Sequence, residues 1–342
     1  MCPDRQDCLS SIAGFADDTL SLLTALPHAS VVVCTHNRST YLRQSCDAIL
    51  AVDYPSDRFD LLIVNNASTD ETPRIAAQLA RQHPNVHVVH EPRLGLSRAR
   101  NAGVQHARGE LVLFADDDAF PEAGWLRALA HALSEDGVLA AGGPVQPIFA
   151  GELPAWFSDR FLPYLSVWDK GSQALRLTYN DYPRGNNIGF RREVFQRFGT
   201  FSTQLGRKGK SLLSCEETEL CLRVERGGGT ILYVPEARIA HVTPVDRLTP
   251  DWLARRFAAQ GRSEAIVEWR HAGWDGLRRG LAHWGKLVEY AALDDSSEPS
   301  AEIYKRCTEE AFGAYSRARW AVPLTVPRYR APRGTSKWLP WT

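Results

Sequence analysis

At 342 residues the chain has room for one large α/β domain with an appendage, or for two modest domains. Forty basic residues balance forty acidic ones, so no global field draws the protein to nucleic acid. Seven cysteines (2, 8, 34, 46, 215, 221 and 307) form an odd set without C-x-x-C spacing, which argues against a disulfide framework or zinc site and fits a reducing cytoplasm. No apolar run approaches bilayer-spanning length, and the N-terminus lacks the basic-then-apolar layout of a signal peptide, so a soluble protein is expected, with contact at a membrane surface left open.

Residues 1–29 read as a leader, with a weak helical pattern from Phe15 to Leu26. The β-branched run Ser30–Cys34 predicts a central parallel strand, followed by the polar turn Thr35-His36-Asn37-Arg38. A helix follows, with Ser39 or Thr40 as N-cap and Leu42, Cys46, Ile49 and Leu50 on one face. The plan repeats with a strand at Leu61–Val64, the turn Asn65–Asp70 and a helix over Thr72–Gln82. Ser68 with Glu71 three residues on has the spacing of a capping box. A strand at Val86–Val89 leads to Gly95-Leu96-Ser97, which opens the helix Arg98–Gly103. The apolar run from Leu111 then ends abruptly in Asp116, Asp117 and Asp118, and a helix with Pro121 in its first turn carries Leu126, Leu129 and Leu133 on one side. Four strand–helix alternations of this kind mean a mostly parallel sheet with helices on both faces, and bring the turns at the strand ends together. Three acids there are either a solvated turn or ligands of a hard divalent cation such as Mg²⁺ or Mn²⁺, which usually accompanies a diphosphate.

From Gly142 to Gly185 prolines and aromatics (Phe149, Trp156, Phe157, Phe161, Tyr164, Trp168, Tyr179, Tyr182) break the rhythm, and either cap a core or line a pocket. Asn187–Phe190 reads as a strand, with a short helix near Arg192–Phe198 and a basic glycine loop at Gly206–Lys210. Glu217, Leu220, Cys221 and Val224 then fall at i, i+3, i+4 and i+7 of a helix, which places Glu217 on the interior stripe. An acid there needs a partner or a task, while Glu216 and Glu219 equally suit the positive end of the helix dipole. Strands follow at Thr230–Val234 and Ala237–Ala240, the second ending at His241.

In this order the motifs resemble the family 2 glycosyltransferases, which have the GT-A fold. The likeness covers about residues 30–265 and rests on Val33–Arg38, Val64–Asp70, Gly95–Asn101, Asp116–Asp118 and Glu216–Leu220. It implies a nucleotide-diphosphate sugar donor, with base and ribose held by Thr35, Asn37, Arg38 and Asn65. Asn65 stands where the family more often has Asp, and its carbonyl can still accept from a uracil N3–H, which favours UDP. Arg100 would lie near the ribose or diphosphate, Asp116 on the ribose side, and Asp117 would also bind the nucleotide. Asp118 would be the most direct ligand of Mn²⁺ or Mg²⁺, with Asp116 and His241 completing that site. The family usually has Glu-Asp where this chain has Glu216-Glu217, so Glu217 is the expected general base with Glu216 in reserve. A single base opposite the leaving group implies inversion. The acceptor hydroxyl belongs to a saccharide, lipid-linked glycan, peptide or small metabolite. The alternatives are a nucleotidyltransferase that makes an activated sugar, which would need a glycine-rich basic loop after the first strand, and a non-catalytic nucleotide-sugar binder.

The expected domains are a nucleotide-binding half (30–143), an acceptor half (144–265) and a helical extension (266–342). Arg255, Arg256 and Arg262 lie in a helix with Gly261, where one of them can meet the diphosphate. Seven of ten tryptophans follow residue 250 (252, 269, 274, 284, 320, 338 and 341), and from Ala311 onward Arg317, Arg319, Arg328, Arg330, Arg333 and Lys337 occur without an acid. That composition suits peripheral contact with the inner membrane face, a lipid diphosphate or a homodimer. Leu293–Ser300 reads as a mobile acidic loop.

Overall fold

The protein is described by a computed structural model over residues 26–294 and 298–329. The leader helix expected at Phe15–Leu26 lies outside that range but for its last residue. So do Cys2, Cys8, Asp295, Ser296, Ser297, Arg330, Arg333, Lys337, Trp338 and Trp341.

The first half alternates as the sequence predicts: β1 (Ala29–Thr35), α1 (Ser39–Leu50), β2 (Phe59–Asn65), α2 (Thr72–Gln82), β3 (Val86–His90), α3 (Leu96–His106) and β4 (Leu111–Asp116). There follow β5 (Ala119–Pro121), α4 (Trp125–Ser134), β6 (Val138–Gly142), β7 (Val145–Phe149), a 3-10 turn (Asp159–Leu165) and β8 (Leu175–Arg176). The chain continues through β9 (Asn187–Arg191), α5 (Glu193–Arg197), α6 (Glu216–Arg226), β10 (Thr230–Tyr233) and β11 (Ile239–Thr243). A 3-10 turn (Val245–Arg247) then leads to α7 (Pro250–Ala292) and α8 (Pro299–Thr325). Residue 265, the expected end of the acceptor half, falls inside α7.

The main sheet runs β3-β2-β1-β4-β9-β6-β10-β8, and β5, β11 and β7 make a smaller one. Strands β1 to β4 are parallel, while β9 is antiparallel to both β4 and β6. Strand pleating divides the core: Val31, Val33, Leu61, Ile63, Leu111 and Leu113 face α1, α2 and α4. Val32, Leu62, Val64, Val112 and Phe114 face α3, α6, α7 and α8. The aromatic segment serves mainly that second core, with Phe161, Trp168 and Tyr182 buried.

Local signals were corrected at three helix starts. Ser68 Oγ accepts from Asn37 N, and Glu71 pairs with Arg74, so neither forms the expected capping box. Asp70 Oδ1 accepts from Thr72 N at 3.0 Å instead. Ser39 is the first residue of α1 rather than its cap. Pro121 ends β5, and α4 starts only at Trp125, because Ala119–Pro121 is captured by pairing with β11.

The C-terminal helices pack on the domain through polar anchors. Glu219, fully buried, accepts from Arg223 at 2.8 Å, Arg270 at 3.1 Å and shares a 2.9 Å contact with His271 Nε2. These cations outweigh burial and hold its carboxyl well below the usual range. Of the tryptophans described after residue 250, Trp252 and Trp284 are buried, and Trp269 Nε1 donates to Val326 O at 2.7 Å. Trp274 and Trp320 are exposed, with ring centroids 6.0 Å apart. Asp294, at the edge of the expected acidic loop, accepts from Arg160 at 2.7 Å. Among the described residues, no helix is long and apolar enough to cross a membrane.

A depressed carboxyl stabilises the fold above its unfolded value and loses that contribution as pH falls. Glu219→Ala is therefore expected to cost about 3–5 kcal/mol by stranding buried cations. Urea unfolding at neutral pH measures this, and the gap between variant and wild type should shrink as pH drops below the ordinary glutamate value.

Candidate active site

Parallel strands that end in register create the crevice. Thr35 pairs with Asn65 across β1 and β2, and Cys34 with Asp116 across β1 and β4, so three turns open on one sheet edge. On the other side β11 runs antiparallel to β5 and sets His241 opposite Ala119, beside Asp118. Val242 N donates to Asp118 O at 3.0 Å and locks that register. His241 thus lies inside a strand rather than after it, because β11 continues to Thr243.

One ligand atom each from Asp116, Asp118 and His241 lies within 4.8 Å of the others. His241 Nε2 is 3.2 Å from Asp118 Oδ1 and 4.0 Å from Asp116 Oδ2. Burial holds the His241 imidazole down to about 4, so at neutral pH it offers a lone pair rather than a charge. Two carboxylates and a neutral imidazole fit a divalent ion such as Mn²⁺ or Mg²⁺. Arg38 supplies a positive charge at the same place: its guanidinium contacts Asp118 directly, and its Nε lies 3.6 Å from Asp117 Oδ1. Burial pushes the Asp117 carboxyl up to about 6 against the pull of Arg38. The outer two acids of the triplet therefore converge on His241, and the middle one is held apart from them.

Helix α3 starts where Gly95, at φ +142°, donates its N–H to Asn66 Oδ1 at 2.8 Å. It projects Arg100 under the crevice. Arg100 Nη1 donates to Glu216 Oε1 at 2.6 Å, Nη2 donates to Gly185 O at 2.8 Å, and Nη2 lies 3.8 Å from Asp116 Oδ1. Burial, with Glu217 adding, raises the Glu216 carboxyl, and Arg100 opposes them. Leu220, Cys221 and Val224 are buried as the helical stripe predicts, but Glu217 is only half-buried, whereas Glu216 and Glu219 are buried. The difference is physical: Glu216 and Glu219 have cationic partners, while Glu217 opens on the cleft with its Oε2 unpartnered.

The cleft encloses about 620 Å³, within the ordinary range for a small-molecule site. Thr35, Arg38, Arg100, Asp116, Asp117, Asp118, Glu216, Glu217 and His241 all line it. Asn37 and Asn65 do not: their side-chain oxygens accept from Thr69 N at 2.7 Å and Ser68 N at 3.1 Å, which shapes the turns. Asn66 lines it instead, beside His36. Sequence reasoning also missed Arg184, Asn186 and Arg247, which reach the cleft from connecting segments without periodicity. Arg256 carried a usable signal, since Trp252, Arg256, Ala259 and Ser263 form one buried stripe and Arg255 and Arg262 are exposed.

Residues 30–199 match the family model described as glycosyl transferase family 2. The chain belongs to the family 2 glycosyltransferases. This glycosyltransferase is 29% identical over 244 residues to the glucosyl-dolichyl phosphate glucuronosyltransferase of Haloferax volcanii, covering 70% of this chain and 77% of that protein. It is 28% identical over 240 residues to the succinoglycan biosynthesis protein ExoM of Rhizobium meliloti, covering 69% and 74%. Its fold is similar to that of a mannosyltransferase from Pyrobaculum calidifontis solved with GDP-Man and Mn²⁺, at a TM-score of 0.57 and 20% identity over 91% of this chain and 94% of that one. A GalNAc-T7 structure with UDP, GalNAc and Mn²⁺ gives 0.54 and 15% over 89% and 58%. The mostly parallel sheet with its helices is thus a GT-A glycosyltransferase fold with a C-terminal helical region.

Replacing Asp118 or His241 by Ala is expected to weaken Mn²⁺ binding about tenfold or more, as a lost metal ligand or its support does elsewhere. Titration of free Mn²⁺ by electron paramagnetic resonance measures it. Affinity that survives in both variants would remove the triad from the metal site.

Proposed function

We propose that this glycosyltransferase moves a sugar from a nucleotide-diphosphate sugar, with uridine as the favoured base, to an acceptor hydroxyl with inversion at the anomeric carbon. One observation carries the reading: Glu217 presents a buried, unpartnered carboxylate oxygen to the same cleft that holds the Asp116, Asp118 and His241 triad, while Glu216 is tied to Arg100. Of the two adjacent acids, only Glu217 keeps both oxygens free of an ion pair, so it takes the proton from the attacking hydroxyl. Asp116, Asp118 and His241 would hold Mn²⁺ or Mg²⁺, whose chemistry when bound is to stabilise the charge that develops on the departing diphosphate.

Arg38 and Arg247, which lie in each other's field beside Asp116 and Asp117, are placed to meet the diphosphate oxygens. Thr35, His36 and Asn66 on the cleft wall are the candidates for ribose and base contacts, and Asn65 acts by shaping its turn. The two structural neighbours were solved with different nucleotides, so the base is a property to measure. The exposed pair Trp274 and Trp320 supports the expected peripheral membrane or subunit contact of a protein at the inner membrane face.

Calorimetric titration of UDP, GDP and dTDP with Mn²⁺ tests the donor site: UDP is expected to bind, only with the metal, and not to Asp118→Ala. Glu217→Gln is expected to lower turnover by about 10²–10⁴-fold while nucleotide affinity is kept. Full activity in that variant would return the base role to Glu216 or to another group.

A further inference from the structure

The cleft carries more positive charge than a donor diphosphate calls for, and part of it faces the base rather than the metal triad. Seven arginines line it. Arg100 is committed to Glu216, and Arg38 and Arg247 lie beside Asp116 and Asp117. Arg184 has other neighbours, namely Glu217, Asp181 and Arg256.

These two guanidiniums are poorly served. Arg256 is 9% exposed, and its Nε and Nη1 are buried without a hydrogen-bond partner. Arg184 Nε is buried in the same state, and the group stands 5.9 Å over the Trp168 ring. Neither makes an ion pair among the described residues. Beside them Asn186, 2% exposed, has both side-chain polar atoms buried and unpartnered. The antiparallel pairing of Asn187 with Ala115 brings Asn186 to the level of Asp116. Buried polar atoms of this kind are rare without water or a ligand to satisfy them, and unpaired guanidiniums are the most costly. Burial, with Arg256 adding, depresses Arg184 against the pull of Glu217 and Asp181.

We propose that this end of the cleft binds an anionic group on the acceptor, a phosphate or a carboxylate, with Arg256 and Arg184 as its counter-charges and Asn186 reading a neighbouring hydroxyl. The proposal rests on the glycosyl-transfer reading for what fills the rest of the cleft. It makes the acceptor acidic: a sugar phosphate or a uronate-containing glycan. The planar fork of arginine matches either oxyanion in bidentate fashion. The anion then anchors the acceptor while Glu217, in the field of Arg184, faces its hydroxyl.

The test titrates glucose, glucose 6-phosphate and glucuronic acid into the full chain, with and without UDP and Mn²⁺, and compares UDP-glucose with UDP-glucuronate as donors. Both anionic probes are expected to bind at least about tenfold more tightly than glucose, the worth of a charged hydrogen bond. Arg256→Gln and Arg184→Gln should each erase that preference while affinity for UDP and Mn²⁺ is unchanged, which also shows that the variants fold. Anionic probes that bind no better than glucose overturn the proposal. So does a loss of UDP affinity in Arg256→Gln, which would give the arginine to the donor diphosphate. A preference for UDP-glucuronate that either variant erases also overturns it, because the anion would then be on the donor sugar. Wild type that binds the anionic probes but no nucleotide would keep the anion site and overturn the donor reading instead.

Discussion

The buried ion pair between Arg100 and Glu216 holds the site together. A guanidinium and a carboxylate taken out of water cost several kcal/mol each, and only close geometry with further hydrogen bonds repays it. Here the pair closes at 2.6 Å, and Arg100 adds Gly185 O and the field of Asp116. Three distant pieces of chain meet at this one side chain: the end of β4, the loop before β9 and the start of α6. A Cβ at Gly185 would stand 2.7 Å from Arg100 Nη2, so a larger residue there would push the guanidinium from this position. By occupying Glu216 the arginine also leaves Glu217 as the open acid on the cleft.

The reversal of β9 between β4 and β6 does the complementary work. A strand inserted antiparallel at the centre of a parallel sheet delivers its preceding loop, Arg184 to Asn186, to the edge where the parallel strands end. Asn187 anchors the turn. It accepts from Trp125 Nε1 at 2.8 Å and donates to Pro144 O and Ala237 O at 3.0 and 2.7 Å. A fully buried amide with each of these bonds made fixes its neighbours' direction, so the unsatisfied Asn186 beside it is an exception that a ligand would explain.

The strands and helices of the first half were legible because period and burial agree there. Val31 and Val33 go to one core and Val32 to the other, which is why the run reads as continuously apolar. Thr72–Gln82 was read to the residue, yet its cap was not, because Asp70 and Ser68 both fit an N-terminal role and tertiary contacts with the loop after β1 gave Ser68 to Asn37. The acid triplet showed in one stretch two of the three side chains that converge. His241 was named through the family resemblance and not by any pattern of its own, since what brings it to Asp118 is sheet pairing over more than a hundred residues. Interior pattern misplaced Glu217, since a helical stripe cannot tell a core from the wall of a cleft.

A composition with no net charge hides how strongly charge is sorted inside this cleft. The carboxylates gather where a divalent ion fits, at Asp116 and Asp118, and on the cleft wall, at Glu217. Arginines from α3, the β9 loop, the glycine loop, the second 3-10 turn and α7 surround them, and burial, with neighbouring arginines adding, depresses Arg207 and Arg247. Had the two signs been paired throughout, the field would be short-ranged and the pocket would have little to offer an anion. Where they are left unpaired, as at Arg184 and Arg256, they act on whatever enters, so an anionic ligand would meet a field already built into the folded protein.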